Sequence, residues 1–135
     1  MTPQDTRLQI GGDWTERADG WWLTAPAASI REFARILLNA EARFVTIVAL
    51  SEPNHVLRIS WHWDIGGTLL SLISFLNEGT PVPSIADIYP GADWAERETR
   101  DYFAVTFEGR EDTPTLMLRD SDTPGKFLHT SGDAQ

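Results

Sequence analysis

The sequence predicts a small α+β domain in which an antiparallel or mixed sheet is covered on one face by helices. Three observations indicate this fold. The chain has 135 residues, 41% of them hydrophobic, which suits a single domain with a substantial core. Residues 57–63 alternate apolar and polar side chains, as in a strand whose sheet is covered on one side. Residues 30–39 carry an apolar stripe with helical spacing, so a helix can supply that cover.

The first predicted elements are two short strands and a helix. Residues 8–10 are interpreted as one strand, followed by a turn at Gly11-Gly12, and residues 21–24 as the other. Ser29 and Glu32 have the spacing of a capping box, in which both side chains bind free amides of a first helical turn. We therefore predict an amphipathic helix from about residue 30 to residue 39.

Two longer strands are predicted next. Residues 44–50 are rich in β-branched side chains, and the turn-forming cluster at residues 51–54 ends the strand. The alternation over residues 57–63 defines the second strand and assigns Trp61 and Trp63 to its core face. A hairpin turn at Gly66-Gly67 should follow.

The pattern of the segment after this turn, residues 68–76, is compatible with either a helix or a strand. In residues 68–76 the leucines and Ile73 keep helical spacing, yet the segment is short and follows a tight turn directly. Residues 105–107 are predicted as a short strand, and residues 116–118 as an apolar clip onto the domain or a partner. We expect a domain of residues 1–119 and a disordered polar tail of residues 120–135, since the tail has too little apolar area to offset its ordering cost.

Composition excludes several classes of function. With 20 acidic and 11 basic residues, the chain is poorly suited to phosphate backbones or anionic lipid, so no nucleic acid and no direct membrane insertion are predicted. It contains no cysteine and cannot hold an iron–sulfur cluster by thiolates. Its N-terminus lacks the pattern of a signal peptide, so a cytoplasmic protein is expected. Any redox cofactor should belong to a partner.

No metal site is predicted. His55, His62 and His129 have no second histidine or cysteine at metal-ligand spacing. No glycine pattern of the dinucleotide or Walker type is present either. A lone strand histidine such as His62 is more often a surface residue or a hydrogen-bonded one than a ligand.

Residues 83–109 hold the most informative pattern of the chain. Pro90-Gly91 interrupts the backbone, Asp93 is a predicted N-cap, and the carboxylate of Glu96 is placed to reach back to free amides, so a helix should begin near Trp94. Within it, Glu96–Arg100 and Arg97–Asp101 are spaced for ion pairs.

The carboxylates of this helix could in principle supply a general acid and a general base. The candidates are Glu96, Glu98 and Asp101, but Arg97 and Arg100 lie between them and favour the ionised carboxylates. Such a lattice suits docking or intrachain pairing better than proton exchange, so no catalytic residue is predicted.

The motif comprises Ile88-Tyr89-Pro90, Trp94, Glu96-Arg97-Glu98, Asp101-Tyr102-Phe103 and Phe107-x-Gly109. It resembles the diagnostic motif of the 30 kDa subunit family of respiratory complex I, which also includes small subunits of energy-converting nickel–iron hydrogenases. The family has a strand at residues 68–76, so we predict a strand there. The chain departs from the family at Ala104, where glycine is usual, and lacks a basic pair after Gly109. Its short C-terminal segment favours the hydrogenase branch.

The resemblance implies an accessory subunit without a cofactor, of the energy-converting hydrogenase type. It would dock on the large catalytic subunit and a neighbouring iron–sulfur subunit, and lie in the cytoplasm at the inner membrane through its complex. The residues assigned to docking are Tyr89, Trp94, Glu96, Arg97, Glu98, Arg100, Asp101, Tyr102 and Phe103. For Trp94 and Tyr102, a partner surface and the core are weighed equally.

Three alternatives stay open. One is the equivalent subunit of NADH:quinone oxidoreductase. Another is a free-standing enzyme that uses Glu98, Asp101 or His62 in a concave pocket. The third is a regulatory or ligand-binding α+β module that reuses the fold.

Overall fold

The computed structural model describes residues 2–110, which form three helices and seven strands with one 3₁₀ turn. The elements in chain order are α1 (Pro3–Ile10), β1 (Thr15–Arg17), β2 (Gly20–Thr24), a 3₁₀ turn (Ala27–Ser29), α2 (Ile30–Asn39), β3 (Arg43–Glu52), β4 (Val56–Ile65), β5 (Thr68–Asn77), β6 (Val82–Pro83), α3 (Ala92–Phe103) and β7 (Phe107–Glu108).

Five of these strands form one mixed sheet in the order β1-β2-β5-β4-β3. Strands β3, β4 and β5 are an antiparallel meander, β2 pairs in parallel with β5, and β1 pairs antiparallel with β2. Strands β6 and β7 form a separate two-residue parallel pair. The predicted α+β class, with a mixed sheet and a single small domain, is confirmed.

Residues 68–76 lie in the central strand β5, as predicted. Gly66 and Gly67 have φ of +58° and +89°, the left-handed backbone that a two-residue hairpin requires, and Ile65 then faces Thr68 across the turn. Strand β5 has β2 on one side and β4 on the other, and its residues 70–74 are buried whichever face of the sheet they point to. The apparent helical spacing of its leucines therefore results from burial on both faces of a strand.

The core lies between one face of the sheet and the helices. Trp61 and Trp63 are 1% and 0% exposed, which confirms their predicted place in the core. They share one cluster with buried side chains of α2 and α3 and of the segment between β6 and α3: Ile30, Ala34, Leu37, Ile85, Tyr89, Ala92 and Ala95. Helix α3 packs over β3.

The opposite face of the sheet, here called the open face, carries none of the helices of residues 2–110. At its centre His62 is 8% exposed and lies between two serine hydroxyls, with Ser60 Oγ 2.8 Å from Nε2 and Ser71 Oγ 2.7 Å from Nδ1. Burial lowers the pKa of His62. Around this polar row Val48 and Phe75 are 44% and 56% exposed, so the open face has a polar centre and an apolar margin.

The predicted strand at residues 8–10 is wrong, because these residues are the last turn of α1. The start of this helix is stabilised by its cap. The Thr2 hydroxyl accepts a hydrogen bond from the Asp5 amide at 3.1 Å, and Pro3 occupies the first helical position. The predicted turn follows at Gly11 and Gly12, both with positive φ.

Helix α2 has the predicted bounds, but the predicted capping box at Ser29 is wrong. A 3₁₀ turn precedes the helix and gives Ser29 φ −90° and ψ 0°, whereas a capping side chain needs an extended backbone. The Ser29 side chain consequently makes no cap hydrogen bond.

At the C-terminal end, the strand predicted at residues 105–107 is found one to two residues later, at β7. The predicted clip at residues 116–118, the tail at 120–135 and the domain boundary at 119 lie outside the described residues. Within residues 2–110, no helix is long and apolar enough to cross a membrane.

Candidate partner-docking site

Helix α3 and the segment before it, residues 84–91, form the structural element that contains the motif. The helix begins at Ala92 after Gly91, which makes no side-chain cap, so the prediction of Asp93 as N-cap is wrong. The preceding turn is closed by amides of Ile88 and Tyr89, which donate to the Ile85 carbonyl. The Asp93 carboxylate does not cap the helix and instead forms ion pairs with Arg97 and Arg110.

Glu96 is a buried anchor of this segment. Its side chain is 1% exposed. Oε1 accepts hydrogen bonds from Ser84 Oγ at 2.7 Å and from Arg110 Nη1 at 2.9 Å, and Oε2 accepts the Ile85 amide at 2.8 Å. The carboxylate thus bridges the segment before α3 and the chain after β7. The predicted Glu96–Arg100 pair is replaced by the pair with Arg110.

A second tie joins the same segment to α2. The Arg31 guanidinium forms a two-pronged ion pair with Asp87, at 2.7 and 2.8 Å, and also donates to the Ser84 carbonyl at 2.6 Å. The hydrogen bonds from Arg31 lower the pKa of Asp87 to about 2. Arg31 and Asp87 are therefore both held in their charged forms at neutral pH.

Tyr89 is part of the core rather than of the surface. It is 7% exposed, its hydroxyl donates to the Ala42 carbonyl at 2.8 Å, and its ring lies 6.1 Å from that of Trp63. Burial raises the pKa of Tyr89 to about 12, so the hydroxyl remains a donor across the physiological range.

The C-terminal half of α3 also has a buried carboxylate. Asp101 is fully buried and lies 3.0 Å from Arg100 Nη2. Arg97 pairs with Asp93 at 3.8 Å in place of the predicted pair with Asp101. The helix ends at Ala104, whose φ of +56° is the left-handed conformation that favours glycine. A glycine would adopt this backbone with less strain than alanine does.

Helix α3 presents Trp94, Arg97 and Glu98 on its solvent side. These three residues are called the outward face of α3. Trp94 is 57% exposed, the Arg97 side chain is 25% exposed and Glu98 is half-buried. The spacing i, i+3, i+4 places the three on one side of the helix. Trp94 is therefore not a core residue, while Tyr102 and Phe103 are half-buried.

The nine predicted docking residues consequently divide by burial. Tyr89, Glu96 and Asp101 are buried, and Trp94 is exposed. The remaining five are half-buried: Arg97, Glu98, Arg100, Tyr102 and Phe103. Sequence reasoning missed Arg31, Ser84 and Arg110, which hold the segment in place. No spacing rule links these three to Glu96, because each comes from a different part of the chain.

The residues named for the alternative of a free-standing enzyme lie in different parts of the fold. His62 is on the open face of the sheet, whereas Glu98 and Asp101 are on α3, which packs in the helical layer. The groove at His62, about 330 Å³ in volume, therefore does not include the two carboxylates. Residues 2–110 contain no group of three or more side chains arranged to hold a metal ion.

Comparison with known proteins gives a consistent result. Residues 23–129 match the family described as respiratory-chain NADH dehydrogenase, 30 kDa subunit. A subunit of NADH-quinone oxidoreductase from Rhodopseudomonas palustris is 36% identical over 103 residues, covering 70% of this chain and 52% of that protein. NADH dehydrogenase (ubiquinone) iron-sulfur protein 3, mitochondrial, of Candida albicans is 33% identical over 101 residues, covering 69% and 36%.

A shorter match has a higher identity. The corresponding NADH-quinone oxidoreductase subunit from Rhizobium johnstonii is 58% identical over 41 residues, which cover 30% of this chain and 20% of that protein. The aligned part of the chain corresponds to about half, or less, of the length of these relatives.

Proposed function

The chain belongs to the family of the respiratory-chain NADH dehydrogenase 30 kDa subunit, and we propose that it is an accessory subunit of a complex I-related oxidoreductase. In this role it binds the large catalytic subunit and the neighbouring iron–sulfur subunit, and holds no cofactor. As part of the complex it lies at the cytoplasmic side of the inner membrane. Electron transfer takes place on the partner subunits.

The observation that carries this proposal is the outward face of α3. A tryptophan that is 57% exposed stands beside an arginine on a helix whose other side is fixed by buried hydrogen bonds. Tryptophan and arginine dominate the energetics of protein interfaces, and a rigid support lowers the entropy lost on binding. This face is therefore well suited to dock on a partner.

The relatives described above favour NADH:quinone oxidoreductase over an energy-converting hydrogenase. Both bacterial relatives are named as subunits of NADH-quinone oxidoreductase, and the fungal relative is named for NADH dehydrogenase. The sequence-based preference for the hydrogenase branch rested on the short C-terminal segment, which does not distinguish the two if the chain is part of a longer protein. We therefore propose the NADH:quinone oxidoreductase assignment.

Affinity purification of the tagged chain from its native cells in mild detergent, with quantitative mass spectrometry, tests the proposal. We expect the large and iron–sulfur subunits of an NADH:quinone oxidoreductase in stoichiometric yield. Subunits with a nickel–iron centre would replace this assignment with the hydrogenase one. Recovery of the chain alone would contradict the accessory role.

Two matched variants locate the docking surface. Trp94→Ala should lose the partner subunits, whereas Phe75→Ala should keep them, because Phe75 is equally exposed but lies on the open face of the sheet. Circular dichroism should report a folded domain for both. The reverse result would move the docking surface to the open face.

A further inference from the structure

Arg97 differs from the other two arginines around α3 in how well its charge is paired. Arg100 lies 3.0 Å from the buried Asp101 carboxylate, and Arg110 lies 2.9 Å from the Glu96 carboxylate. The nearest carboxylate to Arg97 is that of Asp93, at 3.8 Å, near the limit for an ion pair. Arg97 Nε is buried and has no acceptor within residues 2–110.

Arg97 Nε is one of five buried side-chain polar atoms that have no hydrogen-bond partner within residues 2–110. A buried polar group without a hydrogen bond is costly, and guanidinium groups prefer two parallel bonds to a carboxylate. The Arg97 side chain lines a cavity of about 10 Å³ together with Glu96, Arg100, Arg110 and Phe107, a space for about one water molecule. Three cations and one anion thus surround a small space beside the outward face of α3.

We propose that Arg97 receives a carboxylate from an aspartate or glutamate of the partner subunit, while Trp94 packs against an apolar surface beside it. This inference rests on the proposed function and names the chemistry of the partner. Charge complementarity supports it, since the partly exposed guanidinium of Arg97 has a carboxylate only at 3.8 Å, whereas Arg100 and Arg110 each lie within 3.0 Å of one. The Asp93 contact is weak enough for Arg97 to turn toward a better acceptor.

The composition of the chain allows a direct test. Lys126 is its only lysine, so Lys126→Arg gives a chain without lysine side chains. Adding Arg97→Lys to this background places a single side-chain amine at the proposed contact. A zero-length carbodiimide reagent, applied to the purified complex, joins an amine to a carboxylate that it touches. We expect an amide bond between position 97 and an acidic residue of the partner subunit.

The control places the amine elsewhere. Arg43→Lys in the same background changes an arginine on β3 whose side chain is 69% exposed, and it should give no link to the partner. Intact complexes in which position 97 links only to carboxylates of its own chain, whether that of Asp93 or another, would overturn the inference, and so would equal links from both positions.

Affinity measurements provide a second readout. Arg97→Gln should weaken binding of the purified partner subunit roughly tenfold to a hundredfold, as expected for loss of a charged hydrogen bond, and Arg97→Lys should weaken it less. Arg43→Gln should leave the affinity unchanged. If the wild-type chain binds no partner, the proposed function fails; if Arg97→Gln binds as tightly as wild type, only this inference fails.

Discussion

Replacing Glu96 by alanine should destabilise the domain by about 3 kcal/mol. The carboxylate is buried and accepts three hydrogen bonds, from the Ser84 hydroxyl, the Ile85 amide and the Arg110 guanidinium. Alanine removes all three and leaves the Ile85 amide without its acceptor. The segment before α3 is then no longer tied to the helix through this side chain.

The magnitude follows from these contacts. Hydrogen bonds to charged groups contribute about 1.5–3 kcal/mol each, and breaking a buried ion pair costs about 3–5 kcal/mol. Two of the partners recover part of this loss, because the Ser84 hydroxyl can rotate and Arg110 keeps its contact with Asp93. The expected value therefore lies at the lower end of the range, at about 3 kcal/mol.

The isosteric change Glu96→Gln should cost about 2 kcal/mol. An amide presents one oxygen and one NH₂ group, so it cannot accept from Ile85 and from Arg110 at the same time. One of these donors must face the NH₂ group and loses its acceptor. The difference between the alanine and glutamine variants then reports how much of the effect depends on the shape of the side chain.

Urea unfolding monitored by tryptophan fluorescence measures both changes. Glu98→Ala is the matched control, because Glu98 is on the same helix, is half-buried and has no ion-pair or hydrogen-bond partner within residues 2–110. It should change stability by less than about 0.5 kcal/mol. A loss below about 1 kcal/mol for Glu96→Ala, or equal losses at both positions, would refute the assignment of Glu96 as a buried anchor.

Three further predictions concern other parts of the domain. Ala104→Gly should raise the unfolding free energy by about 1 kcal/mol in the same assay, because the left-handed backbone strains alanine and not glycine; unchanged or lower stability would contradict this. The lowered pKa of His62 means that the unfolded chain binds more protons below pH about 6.5, so stability should fall as the pH drops below that value. His62→Gln should flatten this dependence, and an unaltered slope would exclude His62 as its source. Arg31→Gln should cost at most about 1 kcal/mol at pH 7, since its partner Asp87 is 65% exposed. Because the pKa of Asp87 is lowered from 3.8 to about 2, the ion-pair part of this difference should shrink as the pH falls below 3.8 and be lost below about 2, which leaves the part due to the hydrogen bond from Arg31 to the Ser84 carbonyl; a difference that does not change with pH would rule out a contribution from the ion pair.

The parts of the fold that the sequence predicts well are those with a repeated pattern. Strand β4 has strict alternation over residues 57–63, and α2 has an apolar stripe, so the predictions for both lie close to their observed bounds. Sequence reasoning misses helix α1 because its apolar pattern is weak and its start depends on the cap at Thr2 and Pro3. Local cap chemistry, rather than periodicity, decides its structure.

The candidate site is predictable as a segment but not in its internal arrangement. Charged residues on a short helix are usually exposed, so the sequence assigns Glu96 and Asp101 to a surface although both are buried. The burial of Glu96 depends on partners from other parts of the chain, Ser84 and Arg110. Such contacts arise only when the chain folds, and no spacing within the helix indicates them.

The parallel pairing of β2 with β5 has a consequence for the order in which the domain folds. Strands β3, β4 and β5 are joined by short turns and can assemble from local contacts, whereas Trp21 of β2 must find Leu70 of β5 across the whole meander. Closing that long loop costs entropy before any pairing compensates for it. We therefore expect the meander to assemble early and the ribbon of β1 and β2 to join late. During synthesis the N-terminal ribbon would then wait until most of the sheet has left the ribosome.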